Sequence, residues 1–264
     1  DGFTTGNDAG MNTSSGTLVA WQWKCNGGST TSFSASGAQL AGTRQSNTTA
    51  GFSIITYTGD GNNNATIPHG LSSAPKWVVI KDRGNATNWY VGHKSLFTTG
   101  EIFLNLQNAV AAAFGPFNKT APTASNIVLG TDGNVNGSND TMICYAFAEV
   151  QGYSKFGSYK GNGESNGAFI YTGFQPAWIM LKRSDSSTNG DWTIYDNKRS
   201  NIGNGDNENN DFLRANDSAV EASASGIDIL SNGFKMRSTS SRHNANDSSY
   251  IYMAFAEHPF VSSK

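Results

Sequence analysis

Carboxylates, amides and aromatic rings are the groups in this chain that could do chemistry, and their spacing limits which chemistry. Asp132-Gly133-Asn134-Val135-Asn136-Gly137 reads as the first half of a calcium loop, D-x-N-x-N-G. Asp132, Asn134 and Asn136 would place oxygens at alternate positions, as a hard divalent cation requires. The twelfth position, where a bidentate Glu would close the loop, is Ile143. A turn is therefore the preferred reading of these residues, no metal or cofactor is expected, and calcium at Asp132, Asn134 and Asn136 is the alternative. Glu149 and Glu257 end two similar segments. A glycan-cleaving pair needs two carboxyls about 5–10 Å apart across one substrate. One Glu per repeat suits a repeated ion pair better, with Lys81 and Lys182 as the cations. H-E-x-x-H and the P-loop are absent. His69, His93, His243 and His258 are scattered without ligand spacing. No enzymatic activity is expected, and glycan depolymerisation is the only catalytic alternative.

Aromatic rings and amides point instead to binding. Sugars stack on exposed Tyr or Trp and hydrogen-bond to amides and hydroxyls. Trp77, Trp89, Trp178 and Trp192 recur at matched positions, which favours core packing over a platform. Tyr90, Tyr153 and Tyr195 are the candidate platforms. Asn204 and Asn207, in the Asn-rich insert Asn201 to Asp211, are the candidate amide partners on a loop tip.

These residues sit on a chain that repeats. LVAWQWK (Leu18 to Lys24), MICYAFAE (Met142 to Glu149) and YIYMAFAE (Tyr250 to Glu257) are similar apolar segments. Tyr57-Thr58-Gly59-Asp60-Gly61 answers to Tyr159-Lys160-Gly161-Asn162-Gly163. Pro75-Lys76-Trp77 answers to Pro176-Ala177-Trp178, and Trp89 to Trp192. The period is about a hundred residues, far above the roughly 20–50 of solenoids and propeller blades. Each repeat is thus a domain or half of a two-sheet domain. Strands are expected at 52–57, 77–81, 89–93, 102–106, 127–129 and 142–148. In the second repeat they are expected at 168–171, 178–182, 192–195, 212–213, 227–230, 234–236 and 250–256. Leu18 to Trp23 is expected to be the closing strand of a preceding unit, and Ala109 to Phe114 a single helical turn. Short strands between Gly, Asn and Ser turns, with no long amphipathic helix, read as an all-β class: tandem β-sandwich repeats of jelly-roll or concanavalin-like type. The expected division is 1–50, the remnant of a preceding β-domain plus a linker or exposed edge structure; 51–153, the first repeat; and 154–264, the second. The join at Val150 to Gly157 is short and aromatic, so the units should pack together.

Of the 264 residues, 14% are charged and 37% hydrophobic, with a net charge of −2. That balance gives no drive toward nucleic acid or anionic lipid. No apolar run approaches the roughly 18 residues of a membrane span. The two cysteines, Cys25 and Cys144, fall at non-equivalent repeat positions and read as two thiols.

GFSIITYTGDG (Gly51 to Gly61), IPHGLSSAPKWVVIKDR (Ile67 to Arg83), MICYAFAEVQGYSKFGSYKGNG (Met142 to Gly163), YTGFQPAWIMLKR (Tyr171 to Arg183), LSNGFKMR (Leu230 to Arg237) and YIYMAFAEHPF (Tyr250 to Phe260) together resemble a repeat family in virion proteins of marine bacteriophages. Nearly the whole chain is covered; Gln22, Cys25 and the Asn201 to Asp211 insert are the departures. The resemblance implies a lectin-like β-sandwich in a tail fibre or other virion structural protein, located on the particle surface. It implies contacts with other virion proteins and with a host-surface glycan or protein, and a homo-oligomer, a trimer for a fibre. No nucleic acid and no membrane insertion are implied. The alternative within the same family is a purely structural role, as capsid decoration or fibre shaft.

Overall fold

The strands follow from where the apolar residues must go. In Trp77-Val78-Val79-Ile80 and Trp178-Ile179-Met180-Leu181 every side chain is buried. A strand alternates its side chains between two faces, so an uninterrupted apolar run means that both faces are covered. A computed structural model describes residues 2–25, 27–112, 115–199 and 208–256. It supplies those two covers.

The first half contains β1 (Thr31–Phe33), β2 (Gly42–Asn47), β3 (Phe52–Thr58), β4 (Ala65–Pro68), β5 (Trp77–Asp82), β6 (Tyr90–His93), β7 (Ile102–Phe103), β8 (Asn126–Leu129), the short helix α1 (Gly133–Asn136) and β9 (Thr141–Phe147). The second contains β10 (Ser154–Lys160), β11 (Phe169–Tyr171), β12 (Pro176–Arg183), β13 (Trp192–Asp196), β14 (Glu208–Arg214), β15 (Ala222–Leu230), β16 (Gly233–Met236) and β17 (Ser249–Ala256). One antiparallel sheet has seven strands in the order β1-β2-β3-β9-β5-β6-β7, and the other has eight in the order β10-β17-β12-β13-β14-β15-β16-β11. The pair β4-β8 is separate. The run β3-β9-β5-β6-β7 corresponds strand for strand to β10-β17-β12-β13-β14. The pair β4-β8 corresponds to β11-β16. The protein is an all-β sandwich.

Three apolar cores stack through it. Val78 and Ile80 of β5 point with Ile55, Met142 and Cys144 toward β4, β8 and Val135 of α1. Ile179 and Leu181 of β12 point with Tyr252 and Ala254 into the space that β15, β16 and β11 curl around. Between the sheets lies the middle core, to which both halves contribute Trp77, Val79, Phe147, Phe156, Trp178, Met180, Trp192 and Phe255. The Trp77 and Trp192 rings meet edge to face at 5.5 Å. Trp192 Nε1 also donates across the interface to the Phe103 carbonyl at 2.7 Å. The four recurring tryptophans are packing residues: Trp77, Trp178 and Trp192 are buried, and Trp89 is half-buried against Tyr145.

Several expectations need correction. Leu18 to Trp23 is not a strand. Trp21 and Trp23 of that segment lie edge-on to Trp178, and Trp21 Nε1 donates to Asp196. The neighbours that would pair a strand there are replaced by an aromatic cluster on the second half. Residues 31–47 form edge structure, with β2 paired to β3 from Gly42↔Tyr57 to Asn47↔Phe52. The strand expected over 102–106 stops at Phe103, and Ala111 makes an isolated antiparallel bridge to Glu101 where a helical turn was expected. Ala113 and Phe114 lie outside the described residues. Cys25 and Cys144 are buried reduced thiols with no disulfide between them.

Candidate functional site

Two of the three candidate platform tyrosines are interior. Tyr90 is buried edge-on to Phe103, and its hydroxyl accepts from Asn134 Nδ2 at 2.9 Å. Burial, with the nearby Asp132 and Glu101 carboxylates, pushes its pKa up to about 12. Tyr195 is fully buried, with its hydroxyl 3.1 Å from His243 Nε2. Neither has a ring face to offer a sugar, because each fills the core of its own half. Tyr153 is half-buried against Phe255. Asn204 and Asn207 lie outside the described residues. The far end of the insert is no loop tip: β14 begins at Glu208, and the buried Asn209 donates Nδ2 to the Asp196 carbonyl.

The calcium-loop residues are committed elsewhere. Asp132 Oδ1 caps α1, accepting from the Asn134 backbone at 2.8 Å and from Asn134 Nδ2 at 2.9 Å. This is the ordinary work of an N-cap aspartate. Asn136 is fully buried. Its oxygen accepts from the Asp60 N–H, and its amide donates to Asn62 O, Gly130 O and Asp60 Oδ1. Asn244 makes the matching set in the second half, with Asn162 N–H, Glu164 O, Ser238 O and Asn162 Oδ1. The pattern D-x-N-x-N-G is therefore half of a repeated structural knot. Among the described residues no group of three or more His, Cys, Asp or Glu side chains could hold a metal ion.

Glu149 does not pair with Lys81. It meets Lys155 at 2.7 Å and Lys94 at 3.6 Å. Partial burial raises its pKa, but the Lys155 hydrogen bond and the two lysine charges outweigh that and hold it below the usual carboxylate value. Lys81 Nζ instead donates to Asp82 O, Asn85 O and Thr87 Oγ1. Lys182 is buried under the Gln107 and Gly190 carbonyls. Burial there lowers its pKa to about 8, with partial compensation from Asp191. Glu257 and His258 lie outside the described residues.

What the fold does assemble is a cleft of about 470 Å³. One wall is the turn into β10, with Glu149, Gln151, Gly152, Ser154 and Lys155; the other is the end of β11, with Tyr171, Thr172 and Gly173. β11 alternates strictly: Ile170 enters the third core, while Phe169 and Tyr171 stand 46% and 63% exposed. An exposed phenol thus borders a carboxylate, a primary amide and an ammonium group in a space of ligand size. Tyr171 was missed in the sequence, yet a signal was there. Aromatics that recur between repeats are interior, whereas register places Tyr171 opposite Pro68 of the first repeat.

A family model for a domain of unknown function, DUF7483, matches residues 1–259. The chain belongs to the DUF7483 family. Its cleft and both asparagine knots lie inside the stretch that defines this DUF7483 domain. No curated protein and no solved structure matches the chain.

Proposed function

We propose that this protein is a module of a bacteriophage virion appendage, a tail-fibre component that attaches to host-surface glycan through the cleft between β10 and β11. The observation that carries this reading is Tyr171. A large exposed ring beside Glu149, Gln151 and Lys155 is the arrangement that sugar recognition uses. Single sites of this size bind weakly, and a homo-oligomeric fibre would multiply them through effective concentration. The test is binding of the folded chain to a glycan array and to marine bacterial envelopes. Saturable, sugar-competed binding that falls by roughly tenfold or more in Tyr171→Ala is expected, since an aromatic anchor contributes more than 1 kcal/mol. Absence of binding by a folded, natively assembled preparation would overturn the reading. A parallel measurement with a calcium chelator should leave binding unchanged, because Asp132, Asn134 and Asn136 are committed within the fold.

The second reading, a purely structural virion component that contacts only other virion proteins, is favoured by one observation. Among the described residues β10 pairs on one side only.

A further inference from the structure

The two halves match strand for strand except at one edge. In the first half β3 is flanked by β9 on one side and β2 on the other. Its counterpart β10 is flanked by β17 alone among the described residues. The match fixes which backbone groups are left over. Ala148 N–H donates to Gly51 O, and Ala256 N–H donates to Tyr153 O, so Gly51 and Tyr153 are equivalent. Thr58 N–H donates outward to Ala41, whereas Gly161 N–H donates inward to Ser248. By alternation, Phe156, Ser158 and Lys160 of β10 present their N–H and C=O groups to the side where β2 would lie. Phe156 N–H reaches Glu149 Oε2 at 3.4 Å. Ser158 and Lys160 are exposed.

The side-chain space is open in the same register. Gly70 and Gly173 are equivalent, with φ of +69° and +85°. Above Gly70 lie Arg44 Nε and Ser46 Oγ, at 2.6 and 2.7 Å from the position a Cβ would take. Arg44 also donates to Pro68 O, and Ser46 to His69 O. Above Gly173 the nearest atoms are those of the Tyr171 ring, at 3.5–3.8 Å, an ordinary contact. The cleft is therefore the space that the β2 side chains occupy in the first half.

We infer that the β10 edge accepts an extended strand from a separate partner chain, added antiparallel as β2 is added to β3. The strand it fits has the chemistry of Gly42-Thr43-Arg44-Gln45-Ser46-Asn47: short hydroxyl and amide side chains with one basic residue. Main-chain hydrogen bonds supply the attachment, and the basic side chain meets Glu149 at the cleft. The added strand fills the cleft, so it excludes a sugar bound there. The inference does not depend on the glycan reading.

The probe is a synthetic peptide of residues 38–49, Ala-Gln-Leu-Ala-Gly-Thr-Arg-Gln-Ser-Asn-Thr-Thr, added to the full chain. Hydrogen exchange at Ser158 and Lys160 should slow saturably by on the order of tenfold or more, while Gly157 and Tyr159, already facing β17, stay unchanged. Ser158→Pro should abolish the effect with an unchanged near-ultraviolet spectrum, since an edge strand tolerates proline. A peptide N-methylated at Thr43 and Gln45, the residues whose backbones face β3, should fail against the unaltered chain. Tyr171→Ala should keep peptide binding, and Ser158→Pro should keep any sugar binding, so the two readings fail separately. The inference is overturned if about 1 mM peptide gives no protection, if the methylated peptide binds equally, or if the chain alone self-associates with the same amides protected.

Discussion

Single side chains carry more of this fold than its composition suggests. Asn136 and Asn244 each satisfy one N–H and three acceptors from a buried side chain. Replacing either by Ala leaves its partners unpaired; Gly130 O is buried, whereas Asp60, Asn62, Asn162 and Glu164 are exposed residues, so the cost is about 1–3 kcal/mol for each group that water does not reach. Asn136→Ala and Asn244→Ala should both lower the urea midpoint strongly, whereas Asn108→Ala, at an exposed site outside the left-handed region, should not. Glu101 acts in the opposite sense. It is buried, and its Oε2 makes no hydrogen bond among the described residues. Burial, then the Asp132 charge, raises its pKa to about 7. The folded chain therefore holds this proton after the unfolded chain has lost it. Stability falls as pH rises from about 4.5 to 7 and is level with respect to this group above that. Glu101→Gln should raise stability at pH 8 by roughly 1–3 kcal/mol and leave it unchanged at pH 4, read by thermal unfolding at the two pH values.

Strands were legible where both faces are apolar, and obscure where one element substitutes for another. β5, β12 and β17 stood out as continuous apolar runs, and the matched Trp77 and Trp178 fixed their equivalence. Leu18 to Trp23 has the same composition but packs as an irregular segment, since its rings find Trp178 and Phe255 without a neighbouring strand. α1 was hidden because four residues carry no helical period. The buried asparagines were hidden because an amide inside looks the same in sequence as an amide on a turn. The candidate cleft was hidden for a third reason: it is a difference between the repeats, and similarity was the signal being read. That difference gives a prediction at this scale. Gly70 and Gly173 share a left-handed backbone, so Ala at either costs about 1–2 kcal/mol of backbone strain. Only at Gly70 does the new methyl also strike Arg44 and Ser46 of β2. Gly70→Ala should therefore lose more stability than Gly173→Ala, and should speed hydrogen exchange in β2. Equal losses in the pair would mean that β2 does not seat on Gly70 as described.

The middle core makes the two halves answer to one another. Trp192 belongs to the second half, yet its ring packs on Trp77 and its N–H holds the Phe103 carbonyl of the first. Trp192→Ala removes a fully buried ring from both halves at once, at a cost of about 3–5 kcal/mol. Acid tests the same coupling without mutation, because both halves bury imidazoles: His69 and His93 in the first, His243 in the second. Burial, reinforced by the Lys94 charge, lowers the His93 pKa to about 3. Burial, reinforced by Arg242 and partly offset by Asp191, lowers that of His243 to about 3. Each folded-state value lies below the unfolded value near 6.5, so each contribution is complete above that pH and is lost as pH falls toward 3. By pH 4 the loss is on the order of 3 kcal/mol per histidine. If the halves were independent, the two losses would unfold them separately. With the tryptophan pair shared, acid unfolding should be one transition, with the same midpoint by tryptophan fluorescence and by far-ultraviolet dichroism. In Trp192→Ala that single transition should split or broaden, because the ring that links the halves is gone. Two separate transitions in the unaltered chain would mean that the middle core holds the sheets in contact without making them one cooperative unit.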